Sequence, residues 1–247
     1  MKLKYLFIIM TLAACQKEQK KTQTANFNPT EIPEVAETGA KEVEKKPLHT
    51  DTILLSEDKS SNVNHILVNL MEKEVDKDSI VTSKFRLDFY QTKTKVASSK
   101  VEIKQYEKGA EWYGSFGLTD SSDKNSLFIK ITSGYPACGY THDNYLYYLK
   151  NNDLQLVHQW YSMSDSGWGS WTEFASDETG KDPKNFYCKT VAFEPSDDDS
   201  EDSGIVTYSD SISFSLKGDK WKKKLLSAKE TPYFEKKMSF NEFHKQE

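Results

Sequence analysis

The sequence predicts a mainly β fold, an antiparallel sandwich or barrel with one or two short helices. Three observations predict it: apolar and polar residues alternate along many short segments, polar turns separate several of these segments, and the aromatic residues concentrate in the same region. Alternation with a period of two is typical of strands that bury one face. Antiparallel sheets can leave their other face in water, so we expect an antiparallel arrangement.

Apolar residues of one parity recur between residues 51 and 247. The runs are Phe85/Leu87/Phe89, Val101/Ile103, Trp112/Gly114/Phe116/Leu118, Leu127/Ile129/Ile131, Tyr145/Tyr147, Leu154/Leu156/His158/Trp160, Cys188/Thr190/Ala192 and Ile212/Phe214/Leu216. Some of them are separated by the turn signals Lys108-Gly109, Asn151-Asn152-Asp153 and Lys217-Gly218-Asp219. We expect each run to form a strand.

Two segments depart from this alternation. Apolar residues fall at helical spacing after the cap-like run Ser60-Ser61-Asn62, although a strand fits them almost equally well: Val63, Ile66, Leu67, Leu70, Met71 and Val75. Ser239 and Glu242 have the spacing of a capping box, which predicts a short helix near the end of the chain.

The first 14 residues have the pattern of a secretory signal. Lys2 and Lys4 precede an apolar run of about ten residues, half the roughly 20 that a membrane-spanning helix needs. The run ends in Leu12-Ala13-Ala14-Cys15, which resembles the lipobox of bacterial lipoprotein precursors. The resemblance covers only residues 1–20.

The lipobox resemblance implies a lipid anchor at Cys15. In such lipoproteins the cysteine sulfur receives diacylglycerol, with fatty acid chains such as palmitate, and cleavage makes this cysteine the N-terminus. Two or three acyl chains anchor a protein stably, whereas one gives only marginal binding. Gln16, in place of the aspartate that favours the inner membrane, implies the outer membrane, and Lys17-Glu18-Gln19-Lys20-Lys21 loosely resembles tags for surface export. The implied partner is thus a membrane, reached through the anchor.

Composition divides the remaining chain into a tether and a domain. Residues 15–50 are rich in Lys, Glu, Thr, Gln and Pro and contain one aromatic residue, Phe27, which predicts a disordered tether. A flexible segment of this length spans roughly 30–35 Å on average. Residues 51–247 hold every Trp, and their number suits a single extracytoplasmic β domain.

The charge balance argues against nucleic acid as a partner. Without residues 1–14 the basic count falls from 33 to 31 against 38 acids, so the formal net charge becomes −7. Binding to nucleic acid needs a basic face that neutralises phosphates. Arg86 is the single arginine, and arginine is the residue that clamps phosphates in a bidentate manner.

Two cysteines, Cys138 and Cys188, remain after Cys15. An even pair in an exported chain predicts a disulfide. Closing a loop of about 50 residues would contribute roughly 4 kcal/mol of stability in the chain-entropy model. Two buried free thiols, or one reactive thiol, are the alternatives.

The aromatic cluster between residues 135 and 171 is the first candidate site. It holds three of the five Trp and six of the 13 Tyr, and the polar, Gly-rich residues 162–171 are expected to form a loop. The candidate ligand-binding residues are Trp160, Trp168, Trp171, Tyr148 and Tyr161. Exposed indole rings suit sugars or protein surfaces, so a glycan or a protein is the expected partner. The alternative is that Trp168 and Trp171 fold back as a lid over the core.

An acidic segment is the second candidate. Asp199, Glu201, Ser203, Gly204, Thr207 and Asp210 occupy positions 1, 3, 5, 6, 9 and 12 of a calcium loop of EF-hand type. Glu201 is long for the third position, Asp210 replaces the usual bidentate Glu, and the flanking residues do not look helical. We therefore expect no tight calcium site, and we predict no metal and no cofactor.

Catalytic motifs are not evident. The sequence has no Gly-x-Ser-x-Gly, His-Glu-x-x-His, P-loop or dinucleotide fingerprint, and a disulfide at Cys138 would exclude a thiol site with His142 and Asp143. The sequence favours an anchored, non-catalytic binding or structural domain at the cell envelope. The alternatives are an exported hydrolase acting on glycans or peptides and a helper lipoprotein that docks on an envelope complex.

Overall fold

The computed structural model describes residues 45–119, 125–178, 180–196 and 202–245. The signal segment 1–14, Cys15 and residues 16–44 of the tether lie outside these residues. The elements along the described chain are β1 (His49–Leu54), β2 (His65–Val75), β3 (Val81–Gln91), β4 (Thr94–Lys104), β5 (Glu111–Phe116), β6 (Phe128–Gly134), β7 (Thr141–Lys150), β8 (Asp153–Asp165), β9 (Trp168–Ala175), β10 (Asn185–Pro195), β11 (Ser203–Lys217), β12 (Lys220–Leu225), β13 (Phe234–Ser239) and α1 (Phe240–Phe243).

The strands form two antiparallel sheets. One has the order β1-β2-β3-β4, and the other has the order β12-β11-β10-β9-β8-β7-β6-β5, with β13 beside β11. The mainly β, antiparallel prediction is confirmed, and of the two architectures considered the described residues form the sandwich rather than a closed barrel. No helix among them is long and apolar enough to span a membrane.

The residues at helical spacing after Asn62 form a strand, β2, which was the alternative reading. β2 pairs with β1 on one side and with β3 on the other, with a bulge between Leu70 and Glu72. Hydrogen bonding to two neighbours therefore outweighs local spacing in this segment.

The first core lies between the two sheets and contains several of the predicted inward-facing runs. Its largest contributors are Ile66, Val68, Phe85, Leu87 and Phe89 from the four-stranded sheet and Trp112, Ile129, Ile131, Tyr145 and Tyr147 from the nine-stranded sheet. The members of this core alternate along their strands, as in Phe85, Leu87 and Phe89 of β3, which explains the period of two in the sequence.

β7 buries both of its faces. Tyr145 and Tyr147 face the first core, while Leu146 and Tyr148 belong to a second core. In this second core, Phe128 contacts Phe186 and Trp221, each at 5.5 Å between ring centroids. Strands β10 to β12 therefore cover the opposite face of β6 and β7, so the nine-stranded sheet bends back over itself.

Side chains join β12 to the β7–β8 turn. The Gln155 carboxamide accepts a hydrogen bond from the Trp221 amide at 3.2 Å and donates one to the Asp219 carbonyl. Lys150 Nζ also lies 3.0 Å from Asp219 Oδ1. These contacts satisfy part of the β12 edge, and unsatisfied strand edges invite pairing with other chains.

A bulge in β8 changes the face to which its residues point. Leu156 pairs with Tyr147 and His158 with Leu146, so Val157 is the extra residue. Leu154 and Leu156 pack against the first core, whereas His158 and Trp160 contact rings of the second core. The expectation that these four residues share one face is wrong, because alternation along a sequence cannot reveal an inserted residue.

A third cluster surrounds the predicted short helix α1. The Ser239 side chain accepts a hydrogen bond from the Glu242 amide at 3.2 Å, as expected from the capping pattern. Phe243 packs on Phe193 with 4.2 Å between ring centroids. The helix thereby covers β10 next to the β8–β9 hairpin.

Candidate functional site

Residues 162–171 form a β hairpin and not the expected loop. β8 continues to Asp165, β9 begins at Trp168, and Ser166 and Gly167 form the turn with φ of 53° and 91°. Positive φ at both central residues is the requirement of the tightest hairpin turns, and glycine satisfies it readily. The polar composition that suggested a loop reflects the exposure of this hairpin.

β8 and β9 share only a short ladder next to the turn. The paired residues are Met163 with Ser170, Ser164 with Gly169 and Asp165 with Trp168. At Gly169 the strands are so close that a Cβ atom would lie 2.0 Å from the Met163 carbonyl oxygen. Beyond these pairs β9 continues along β10, and two open cavities lie beside the hairpin.

The first cavity has a volume of about 320 Å³. Its lining includes side chains of β5 to β9: Tyr113, Lys130, Thr132, Asn144, Trp160, Ser162 and Trp171. Tyr113, Thr132 and Asn144 are successive register partners across β5, β6 and β7, so their side chains share one sheet face. The volume falls within the range of small-molecule sites, about 300–1,000 Å³.

A hydrogen-bonded chain fixes the floor of this cavity. Thr132 Oγ1 donates to Asn144 Oδ1 at 2.8 Å, and Asn144 Nδ2 donates to Ser162 Oγ at 3.0 Å and to the His142 carbonyl at 3.1 Å. Asn144 is 6% exposed, so its amide is held in one orientation. A hydroxyl retains hydrogen-bonding capacity after one such contact, so Thr132 and Ser162 can still bond to a ligand.

The second cavity has a volume of about 400 Å³ and shares Ser162 and Trp171 with the first. Its other side chains include His142 and His244. The Nε2 atom of His142 lies 3.1 Å from the Tyr135 carbonyl, and that of His244 lies 3.2 Å from the Gly167 carbonyl. Because a carbonyl oxygen only accepts, each Nε2 carries a proton. We call these two neighbouring cavities together the hairpin groove.

Among the described residues that line the hairpin groove, none carries a carboxylate and one, Lys130, is a lysine. Asp143, which lies between the lining residues His142 and Asn144 in the sequence, is half-buried, and its pKa is raised to about 6 by desolvation. Asp143 pairs with Tyr161 on β8 and is not part of the lining. The groove is thus built from hydroxyl, amide and aromatic groups.

The structure brings two of the five predicted ligand residues together: Trp160 and Trp171 both line the first cavity. Trp168 instead stacks on Phe193 at 4.5 Å, and Tyr148, 5% exposed, lies in the second core. Tyr161 is 51% exposed and pairs with Asp143 away from the groove. Trp168 and Trp171 both pack against the third cluster, which is the covering of the core that the alternative reading expected of both, and Trp171 also borders the first cavity.

The predicted Cys138–Cys188 disulfide is wrong. Both residues are free thiols: Cys138 is exposed between β6 and β7, and Cys188 is buried in the second core. Burial raises the pKa of Cys188 to about 12, and its sulfur lies 3.8 Å from Nε2 of His158. An even cysteine count allowed a bridge, but the fold places one thiol at the surface and the other against Phe186 and Phe214.

The acidic segment lies only partly in the described chain, because Asp199 and Glu201 fall outside it. Ser203, Gly204 and Thr207, at calcium-loop positions 5, 6 and 9, lie in β11 and pair with β13. A calcium loop of this type must wrap around its ion, whereas β11 is extended here. Among the described residues no group of three or more His, Cys, Asp or Glu is arranged to hold a metal. Weak or absent calcium binding stays a prediction.

Comparison of the chain with protein-family models, with curated proteins and with solved structures found no match.

Proposed function

We propose that this protein is a lipoprotein of the cell envelope, anchored through acylated Cys15, whose β domain binds a ligand in the hairpin groove without catalysis. The observation that carries the binding proposal is the groove itself, in which Trp160 and Trp171 border a floor fixed by Asn144. Aromatic walls with a few ordered polar groups are typical of ligand sites.

The groups that line the groove favour binding over hydrolysis. A glycosidase uses a pair of carboxylates on either side of the scissile bond. The described lining has none, and Asp143, whose pKa is raised, alternates along β7 with the lining residues His142 and Asn144 and is not itself in the lining. The described lining therefore supplies no carboxylate pair of the kind that a glycosidase uses.

The anchor proposal rests on the lipobox-like residues that end at Cys15, with Gln16 favouring the outer membrane. The first strand begins at His49, so about 33 residues separate Cys15 from the folded domain. A chain of this length would let the groove reach ligands roughly 30 Å or more from the lipid surface.

The anchor is tested by labelling cells with a radioactive fatty acid. We expect label in the wild-type chain and none in Cys15→Ser, which should also leave the membrane fraction. Equal labelling of both chains would contradict the anchor.

The binding proposal is tested by hydroxyl-radical footprinting, which requires no knowledge of the ligand. In intact cells, where the ligand is present, we expect slower oxidation of Tyr113 and Trp171 than in the purified chain. Tyr187, 41% exposed on β10 and outside the lining, is the control and should oxidise equally in both. Equal oxidation of all three residues in both samples would contradict the proposal.

A further inference from the structure

We infer that the ligand of the hairpin groove is a neutral oligosaccharide that spans both cavities. This inference rests on the proposed function and names the chemical class of its ligand. Four features of the groove carry it: the floor, the walls, the charge and the length.

The floor presents groups that complement sugar hydroxyls. Thr132 and Ser162 are the ends of the hydrogen-bonded chain through Asn144, and each hydroxyl can both donate and accept. Sugar hydroxyls can also both donate and accept hydrogen bonds, so they can pair with either hydroxyl in either role. Because Asn144 is buried and bonded to three partners, the floor loses little freedom when a ligand binds.

The walls are aromatic rings held by their neighbours. Trp160 stacks on His158 at 5.5 Å and contacts Phe174 edge to face at 5.1 Å. Trp171 contacts Phe243 edge to face at 5.8 Å. Rings fixed in this way offer an apolar face and a polar edge, which suits the C–H faces and hydroxyl edges of a sugar.

The charge of the lining favours a neutral ligand. A ligand with several phosphates or carboxylates would call for a cluster of cations, ideally arginines. The single arginine, Arg86, lies in the other sheet, where its Nε is 3.0 Å from Asp88 Oδ2. Of the described lining residues only Lys130 is a lysine and none is acidic, so a multiply charged anion would meet a single lysine and a multiply charged cation no carboxylate.

The length of the groove favours more than one sugar ring. The two cavities, of about 320 and 400 Å³, lie side by side and have Ser162 and Trp171 in both linings. A single ring in either cavity would leave the other empty, whereas a linear oligosaccharide can pass Trp171 and contact both.

The test uses the full chain, purified in a detergent without a sugar headgroup, on an array of neutral oligosaccharides, anionic oligosaccharides and peptides. We expect binding to at least one neutral oligosaccharide of two or more rings. Its affinity should fall at least tenfold in Trp171→Ala and in Tyr113→Ala, and should be unchanged in Tyr187→Ala. Because Tyr113 is 39% exposed on the outermost strand β5, its variant should fold even where Trp171→Ala does not.

The outcomes separate this inference from the proposed function. Binding only to anionic oligosaccharides or only to peptides overturns the neutral sugar, as does neutral-sugar binding that both groove variants retain. A blank array combined with footprint protection of Tyr113 in cells overturns the inference and leaves the proposed function standing. A blank array without that protection overturns both.

Discussion

Trp160 and Phe174 contact edge to face, with 5.1 Å between ring centroids, in the region where β8 and β9 share no ladder hydrogen bonds. Their rings bridge the two strands beyond the paired residues near the turn. The contact also fixes Trp160 beside the first cavity. The same pair therefore joins the second core to the wall of the hairpin groove.

The two tryptophans of β9 should respond differently to truncation. Trp168 is stacked on Phe193 and contacts Phe240, so Trp168→Ala should cost about 3 kcal/mol of stability, as for a largely packed tryptophan. Trp171 lines both cavities, so Trp171→Ala should cost less and act mainly on binding. Urea denaturation of both variants measures this difference. Equal losses would show that Trp171 is a packing residue.

Gly169 should be indispensable for the hairpin. Its φ is 143°, and a Cβ atom would lie 2.0 Å from the Met163 carbonyl oxygen, so Gly169→Ala should destabilise the domain by about 3 kcal/mol through strain and overpacking. Gly218→Ala is the matched control, because its φ of 62° is also positive but no atom lies within 4 Å of the added methyl. We expect it to cost about 1 kcal/mol. Similar thermal midpoints for the two variants would contradict the close approach.

Asp143 should make stability depend on pH. Burial raises its native pKa from 3.8 to about 6, so the native state holds the proton more tightly than the unfolded state does. Its contribution is most favourable below pH 4 and is lost as the pH rises to 6. A shift of about two units corresponds to roughly 2.7 kcal/mol, which partial exposure reduces, so Asp143→Asn should stabilise the protein at pH 7 by about 1–2 kcal/mol.

Comparing Asp143→Asn with the parent protein separates the effect of the Asp143 carboxyl on stability from the opposing effect of His158. Burial and the nearby Lys223 lower the pKa of His158 from 6.5 to about 4, so stability from His158 is lost as the pH falls from 6.5 to 4. The two effects oppose each other in the parent, but their difference between the two proteins reports Asp143 alone. If the free energy of unfolding changes by the same amount between pH 4 and pH 7 in both proteins, the raised pKa of Asp143 is contradicted.

The cysteines should differ in reactivity. Cys138 is exposed, whereas Cys188 is buried and its pKa is raised to about 12, so little of it is thiolate at neutral pH. Brief alkylation of the native chain should label Cys138 and spare Cys188, and alkylation in denaturant should label both. Peptide mass mapping measures the extent of alkylation at each cysteine. Recovery of Cys138 and Cys188 in one linked fragment would show that the disulfide forms in the native protein.

The strand content could be predicted because a half-buried strand repeats its environment every two residues. Phe85, Leu87 and Phe89 alternate in the sequence and are all buried in the first core. The bulge at Val157 could not be predicted in this way, since it depends on the partner strand. Neither could the covering of Tyr148 by Trp221, because these residues meet through the bending of the sheet.

The groove could be predicted only in part. The density of aromatic residues between positions 135 and 171 pointed to Trp160 and Trp171, which are half-buried and line the first cavity. The sequence pattern does not mark Thr132, Asn144 and Ser162 as site residues, because polar residues at alternate positions of a strand are normal on a solvated sheet face. Only the pairing of β6, β7 and β8 brings these three side chains into one hydrogen-bonded chain.

Photo-crosslinking in intact cells tests directly whether the hairpin groove holds the ligand. A benzophenone amino acid placed at Tyr113 extends the side chain that lines the first cavity, and the same residue placed at Tyr187 is the control on the outer face of β10. We expect irradiation to add a defined mass to the chain modified at position 113 and none to the chain modified at position 187. Equal adducts at both positions, or none at position 113, would contradict it.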